Sequence, residues 1–114
     1  MKNLCKSFAD AFNGVFYCIR NERNMRIHMA ATAIVMFVSL CFYEHSKTER
    51  IILILVCTLV MSLEIVNTAI EKLIDKVSPE HSLLAKVAKD CAAGAVLIAA
   101  IAAVVIGVIL FWRW

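Results

Sequence analysis

Between residues 2 and 20, Leu4, Phe8, Ala11, Phe12, Val15, Phe16 and Ile19 recur at intervals of three and four, which on a helix gathers them into an arc of about 140°. Lys6, Asp10, Asn13, Tyr17 and Arg20 fall opposite. The pattern predicts an amphipathic helix over 2–21 lying in a membrane interface, its aromatic face toward acyl chains and Lys2, Lys6 and Arg20 among head groups. The same face would also suit packing on a soluble partner.

Three apolar runs follow, over 29–43, 51–74 and 91–112, the second interrupted by two acids. At 1.5 Å per residue the third reaches about 33 Å, enough for a hydrocarbon core of about 30 Å. The first holds 15 uncharged residues and has to draw in Ile27 and His28, and the second spans only if Glu64 is accommodated inside the membrane. The expected elements are spans over 27–44 and 50–75, then a cytoplasmic turn and third span over 79–112. Residues 44–50 read as a tight polar loop and 76–90 as a longer one, in which Ser78 caps and Pro79 opens a helix. The fold class is an all-α integral membrane protein, one domain over 1–114, with an interfacial helix and three transmembrane helices.

Composition agrees: 62% of the 114 residues are hydrophobic, with three Gly and one Pro, and the mean hydropathy is +0.82. The formal charge of +3 reports topology rather than nucleic acid, for which there is no signal. Lys2, Lys6, Arg20, Arg23 and Arg26 precede the first span and Lys72, Lys76, Lys86 and Lys89 surround the second loop, whereas Lys47, Arg50 and Arg113 lie on the other side. The positive-inside rule places the N-terminus and the 76–90 loop in the cytoplasm, where ATP is available, and the C-terminus outside, in a bacterial cytoplasmic membrane. With the first apolar run starting only at Met29, behind a charged segment, no cleaved leader is expected. Five cysteines without a CxxC pair read as small buried side chains. Cys91, Ala95, Ala99, Ala103 and Gly107 recur every fourth residue, a small-residue stripe suited to close helix packing within or between subunits. Three helices are few for an enclosed site, so a homo-oligomer is expected.

The segment EIVNTAIEKLID places Glu64, Asn67, Thr68, Glu71 and Asp75 on one helix face. Exposing them to lipid would cost several kcal/mol, so they must face a partner helix or a wet cavity; a purely structural polar seam is the alternative. Phosphoryl transfer to an alcohol needs a base near the hydroxyl, oxygen ligands for Mg²⁺ and cations for phosphates. Glu64 can take the hydroxyl proton, Glu71 and Glu22 can hold the metal, Lys89 can neutralise phosphate, and Asn67 can orient a carboxylate or the nucleophile. Composition alone does not assign these roles. With Gly only at 14, 94 and 107, neither a GxxxxGK nor a GxGxxG loop exists, so phosphate binding must come from side chains and Mg²⁺.

EIVNTAIEKLID followed by the AKD of Ala88, Lys89 and Asp90 resembles the signature of the prokaryotic diacylglycerol kinase family, and the likeness covers nearly the whole chain. The resemblance implies a homotrimer of three-helix subunits with active sites at subunit boundaries open to the bilayer. It implies that Glu64 is the catalytic base and that Glu22 and Glu71 are metal-linked. Asn67, Lys89 and Asp90 match polar positions around ATP, and Glu80 a position that contacts the adenosine part. His81 and Ser82 beside it depart from the best-known members. ERNMRIH, residues 22–28, is similar to the Gram-positive undecaprenol kinases of this family, which implies undecaprenol as substrate and places Asn24, Arg26 and His28 where the lipid head enters. The implied alternative substrate is diacylglycerol. From the residues alone, Arg26 and His28 equally suit anchoring a span at the head groups, and Lys89 with Asp90 an ordinary membrane-edge pair. A small proton-coupled transporter is the competing class, since it too buries a Glu in a membrane helix. It has no need of Glu71 or of the Lys89–Asp90 pair. A non-enzymatic adaptor is the third.

Overall fold

The structure, a computed structural model, describes residues 3–80 and 82–112. Lys2, His81 and Arg113 lie outside the described residues. Four helices follow one another, α1 (Leu4–Asn21), α2 (Arg23–Phe42), α3 (Lys47–Val77) and α4 (Leu83–Phe111), and the described secondary structure is entirely helical. The last three are long and apolar enough to cross a membrane. At 1.5 Å per residue α3 and α4 measure about 46 and 43 Å, so both extend beyond a hydrocarbon core of about 30 Å.

Three of the starts have a side-chain cap. Asn3 accepts from the Lys6 amide at 2.8 Å to cap α1. Ser46 and Glu49 form a reciprocal capping box at α3, which moves its start to Lys47 and shortens the connection from α2 to residues 43–46. Ser82 accepts from the Ala85 amide at 3.1 Å to cap α4.

Ser78 and Pro79 therefore do not open the last helix as the sequence suggests. Ser78 closes α3: its amide donates to the Ile74 carbonyl at 2.7 Å, and its backbone has left the helical region. The physical reason is Pro79, whose ring disfavours helical geometry at the residue before it. The loop contracts from the expected 76–90 to residues 78–82.

The helix α3 is the centre of the chain: it packs most extensively against α4, next against α2, and touches α1. Its buried side chains are Leu53, Val56, Val60, Glu64, Asn67 and Thr68, one stripe of a 3.6-residue repeat. Val96 and Ala99 of α4 and Met25 of α2 join this core. Outward-facing Ile34, Phe37, Leu55, Leu97, Ile98 and Val104 remain exposed, as expected where lipid is the solvent. On α1, Leu4, Phe8, Phe12 and Phe16 are exposed along one face and Cys18 is buried.

At the end of the bundle remote from the 78–82 loop, a polar clasp joins α2, the 43–46 connection and α4. The Leu110 carbonyl can only accept, so His45 Nε2 donates to it at 2.7 Å; Nδ1 then accepts from the Ser39 hydroxyl at 2.7 Å. The Tyr43 hydroxyl donates to the Phe111 carbonyl at 3.0 Å, and the Tyr43, His45 and Phe111 rings pack with centroids 4.8–5.1 Å apart. Carbonyls at the end of α4 that no intrahelical amide can reach thus find donors. Ser39 and His45 are both buried. His45→Ala strands the Leu110 carbonyl and the Ser39 hydroxyl in the interior and should cost about 1–3 kcal/mol. A lowered midpoint of detergent-driven unfolding is the expected readout, and an unchanged midpoint would show that the clasp carries no stability.

Candidate active site

The buried face of α3 changes character halfway along. Leu53, Val56 and Val60 make its apolar part; one turn on, Glu64, Asn67 and Thr68 are buried to 2%, 6% and 3% exposure. The same helical repeat that buries the valines buries the acid, so Glu64 is covered within a single chain. Thr68 spends its hydroxyl on the Glu64 carbonyl at 3.0 Å. Asn67 shares the buried face with Glu64, and its Oδ1 is buried and has no partner among the described residues. An unmatched buried acceptor costs about 1–3 kcal/mol until a donor arrives.

Two further carboxylates act on this centre: the charges of Glu71 and Glu22 both reach Glu64. Glu71 lies seven residues on, about 10 Å along the axis. Glu22 arrives from the elbow between α1 and α2, where it is C-cap of one helix and N-cap of the next, and makes no side-chain capping bond. Its carboxylate is therefore not consumed by the turn. The elbow is instead closed by Arg26, whose Nη1 donates to the carbonyls of Ile19 at 2.9 Å and Arg20 at 2.8 Å, a cation on a helix C-terminus. Lys72 stands 5.8 Å from the Tyr17 ring centroid and ties α1 to α3 beside the acids.

A cavity of about 580 Å³ opens at the α3–α4 turn, lined among others by Ser78, Glu80, Ser82, Lys86, Lys89 and Asp90. The Glu80 carbonyl accepts from the Ser78 hydroxyl at 2.9 Å and the Ser82 amide at 3.0 Å, which fixes the turn. Asp90 is paired with Lys86 at 2.7 Å, one turn back on the same helix. Lys89 is paired across the hairpin with Asp75.

The expected site residues thus divide into two groups joined along α3. Glu64, Asn67, Glu71 and Glu22 gather at the buried polar patch, and Glu80, Lys89 and Asp90 line the cavity. Asn24 is exposed on the first turn of α2. His28 lines an apolar groove of about 330 Å³ between α2 and α4 with Thr32, Val60 and Ala103 among others, and Arg26 is engaged by α1. Lys72 with Tyr17 and the Asp75 partner of Lys89 were not recognised as site residues from sequence. The cross-hairpin pair carries no sequence signal, and the Lys86–Asp90 pair carries only its spacing of four.

Among the described residues, no three His, Cys, Asp or Glu side chains converge as a metal cage. Mg²⁺ makes do with one or two carboxylates plus water and phosphate oxygens, and the hard oxygen donors Glu22 and Glu71 fit that demand.

The chain matches the family model of the prokaryotic diacylglycerol kinases over residues 9–111. It is 47% identical over 107 residues to a diacylglycerol kinase of Synechocystis, covering 92% of this chain and 60% of the relative. It thus spans less than two thirds of that relative's length. An undecaprenol kinase of Bacillus subtilis is 41% identical over 106 residues, 93% of this chain and 85% of the relative. A diacylglycerol kinase of Escherichia coli is 37% identical over 92 residues, 81% and 75%.

Removing the Arg26 guanidinium should let the last turn of α1 fray. In Arg26→Ala, amide exchange across residues 17–22 is expected to rise about fivefold, the equivalent of one modest hydrogen bond, with α4 unaffected. Unchanged exchange would show that Arg26 is not what holds the elbow.

Proposed function

The chain belongs to the prokaryotic diacylglycerol kinase family, a family of membrane lipid kinases, and we propose that it moves the γ-phosphoryl group of ATP onto the hydroxyl of a membrane lipid alcohol, undecaprenol by preference. The observation that carries this reading is a carboxyl, Glu64, buried beside an amide, Asn67, on a membrane-spanning helix.

In this mechanism the lipid hydroxyl enters from the bilayer, and Asn67 orients it or the Glu64 carboxyl. Glu64 accepts the hydroxyl proton as the lipid oxygen bonds to the γ-phosphorus and the bond to the β-phosphate oxygen breaks, releasing ADP. Glu80, Lys89 and Asp90 hold the nucleotide in the cavity, Glu80 toward the adenosine part and Lys89 toward the phosphates, which run along α3 to Glu64. Glu22 and Glu71 would hold Mg²⁺, which would offset phosphate charge. Asn24, Arg26 and His28 border the lipid entrance, Arg26 through guanidinium nitrogens not spent on α1. The working form is a homotrimer. Its N-terminus and 78–82 loop face the cytoplasm, as the distribution of Lys and Arg favours.

Undecaprenol is supported by the 22–28 segment and by the Bacillus subtilis relative. The Synechocystis relative favours diacylglycerol as the second reading. The purified protein in mixed micelles, given labelled ATP with each lipid separately and with none, is expected to form undecaprenyl phosphate as the dominant product. Dominant phosphatidic acid would overturn the substrate preference, and labelling of neither lipid would overturn the kinase reading.

A further inference from the structure

We infer that Asp75 is a positioning residue for phosphate capture, holding the Lys89 ammonium at the mouth of the α3–α4 cavity. The inference rests on the reading of Lys89 as the phosphate-binding cation.

Two lysines line that cavity, and the structure treats them differently. Lys86 pairs with Asp90 within α4, and its side chain is 72% exposed. Lys89 pairs with Asp75, fourteen residues away on the opposite helix, and its side chain is only 32% exposed. Asp75 sits two residues before the end of α3 and Lys89 six residues into α4. With the turn limited to residues 78–82, the two helix ends are brought together there. A lysine has four rotatable bonds and loses rotamer freedom when its ammonium is fixed. An aspartate already holding it leaves less of that loss for the moment phosphate arrives, which is preorganisation.

The spacing along α3 strengthens the point. Asp75 lies on the stripe of Glu64, Asn67, Thr68 and Glu71, at the end nearest the cavity, and its carboxylate lies close enough to act on Lys72 as well. Were Asp75 a metal ligand or a base, its negative charge would work directly. As a partner of Lys89 its effect on phosphate capture runs through that lysine, and the two possibilities differ in their coupling.

The test is steady-state kinetics of the full-length protein in mixed micelles at saturating lipid, with MgATP varied, for Asp75→Asn, Asp75→Glu, Lys89→Met and Asp75→Asn/Lys89→Met. Asp75→Asn is expected to raise KM for MgATP about tenfold with kcat within about twofold, since it removes order and not the cation. Asp75→Glu should recover most of the loss, and Asp75→Asn should add nothing on the Lys89→Met background. Independent, multiplying losses in the double variant would overturn the inference, as would wild-type kinetics of Asp75→Asn beside an impaired Lys89→Met. A Lys89→Met variant with wild-type KM overturns the phosphate reading of Lys89, and this inference with it. Should Asp75→Asn also melt earlier, the reversed pair Asp75→Lys/Lys89→Asp separates packing from function. The melting midpoint is expected to return while KM stays high, and a returned KM would contradict the assignment.

Discussion

A carboxyl group has to be buried halfway along a helix that lipid surrounds, and the rest of the architecture depends on that. Charge and hydrogen-bonding groups are costly to leave facing hydrocarbon, so Glu64, Asn67 and Thr68 require cover on the side they share. α3 obtains it by sitting centrally, with α4 and α2 packed against it. The apolar half of the same face, Leu53, Val56 and Val60, supplies the packing that keeps α4 and α2 close to it. Cover and the proposed chemistry thus rest on one stripe of one helix.

The two ends of the bundle are held by polar contacts of different kinds. At one end the His45 clasp supplies donors to carbonyls of Leu110 and α4's last turn, a closed arrangement that leaves little for a ligand. At the other, the α3–α4 hairpin is joined by the partly exposed Lys89–Asp75 pair beside an open cavity, and the α1–α2 elbow is set by Arg26 while Glu22 is spared. Exposed ion pairs contribute little stability. Their arrangement around a cavity is better suited to receiving an anion than to holding helices together.

Much of this was legible in the sequence, and what was not has specific causes. The Glu64–Asp75 stripe followed from a 3.6 repeat within one helix, so local spacing was enough. The three spans followed from run length and composition. Ser78–Pro79 misled because serine caps either end of a helix and proline suits the first turn as well as the residues just beyond the last. The small-residue stripe of α4 advances about 40° at each step of four; Ala99 is buried and Ala103 half-buried, whereas Cys91 and Ala95 are exposed. Arg26 carried two readings until the sharp elbow at Glu22 brought α1's carbonyls within reach. Lys89–Asp75, Lys72–Tyr17 and Ser39–His45 join residues on different elements, and no single-helix periodicity encodes such pairs.

The central claim is that the polar stripe of α3 performs chemistry at Glu64 and binds the nucleotide's metal at Glu71. Equilibrium MgATP binding beside lipid phosphorylation, in Glu64→Gln and Glu71→Gln proteins of unchanged oligomeric state, tests it most directly. Loss of transfer with nucleotide affinity intact in Glu64→Gln, and weakened MgATP binding in Glu71→Gln, is the predicted result. The reverse pattern would contradict the account, as would two variants that alter assembly and leave turnover per assembled protein untouched.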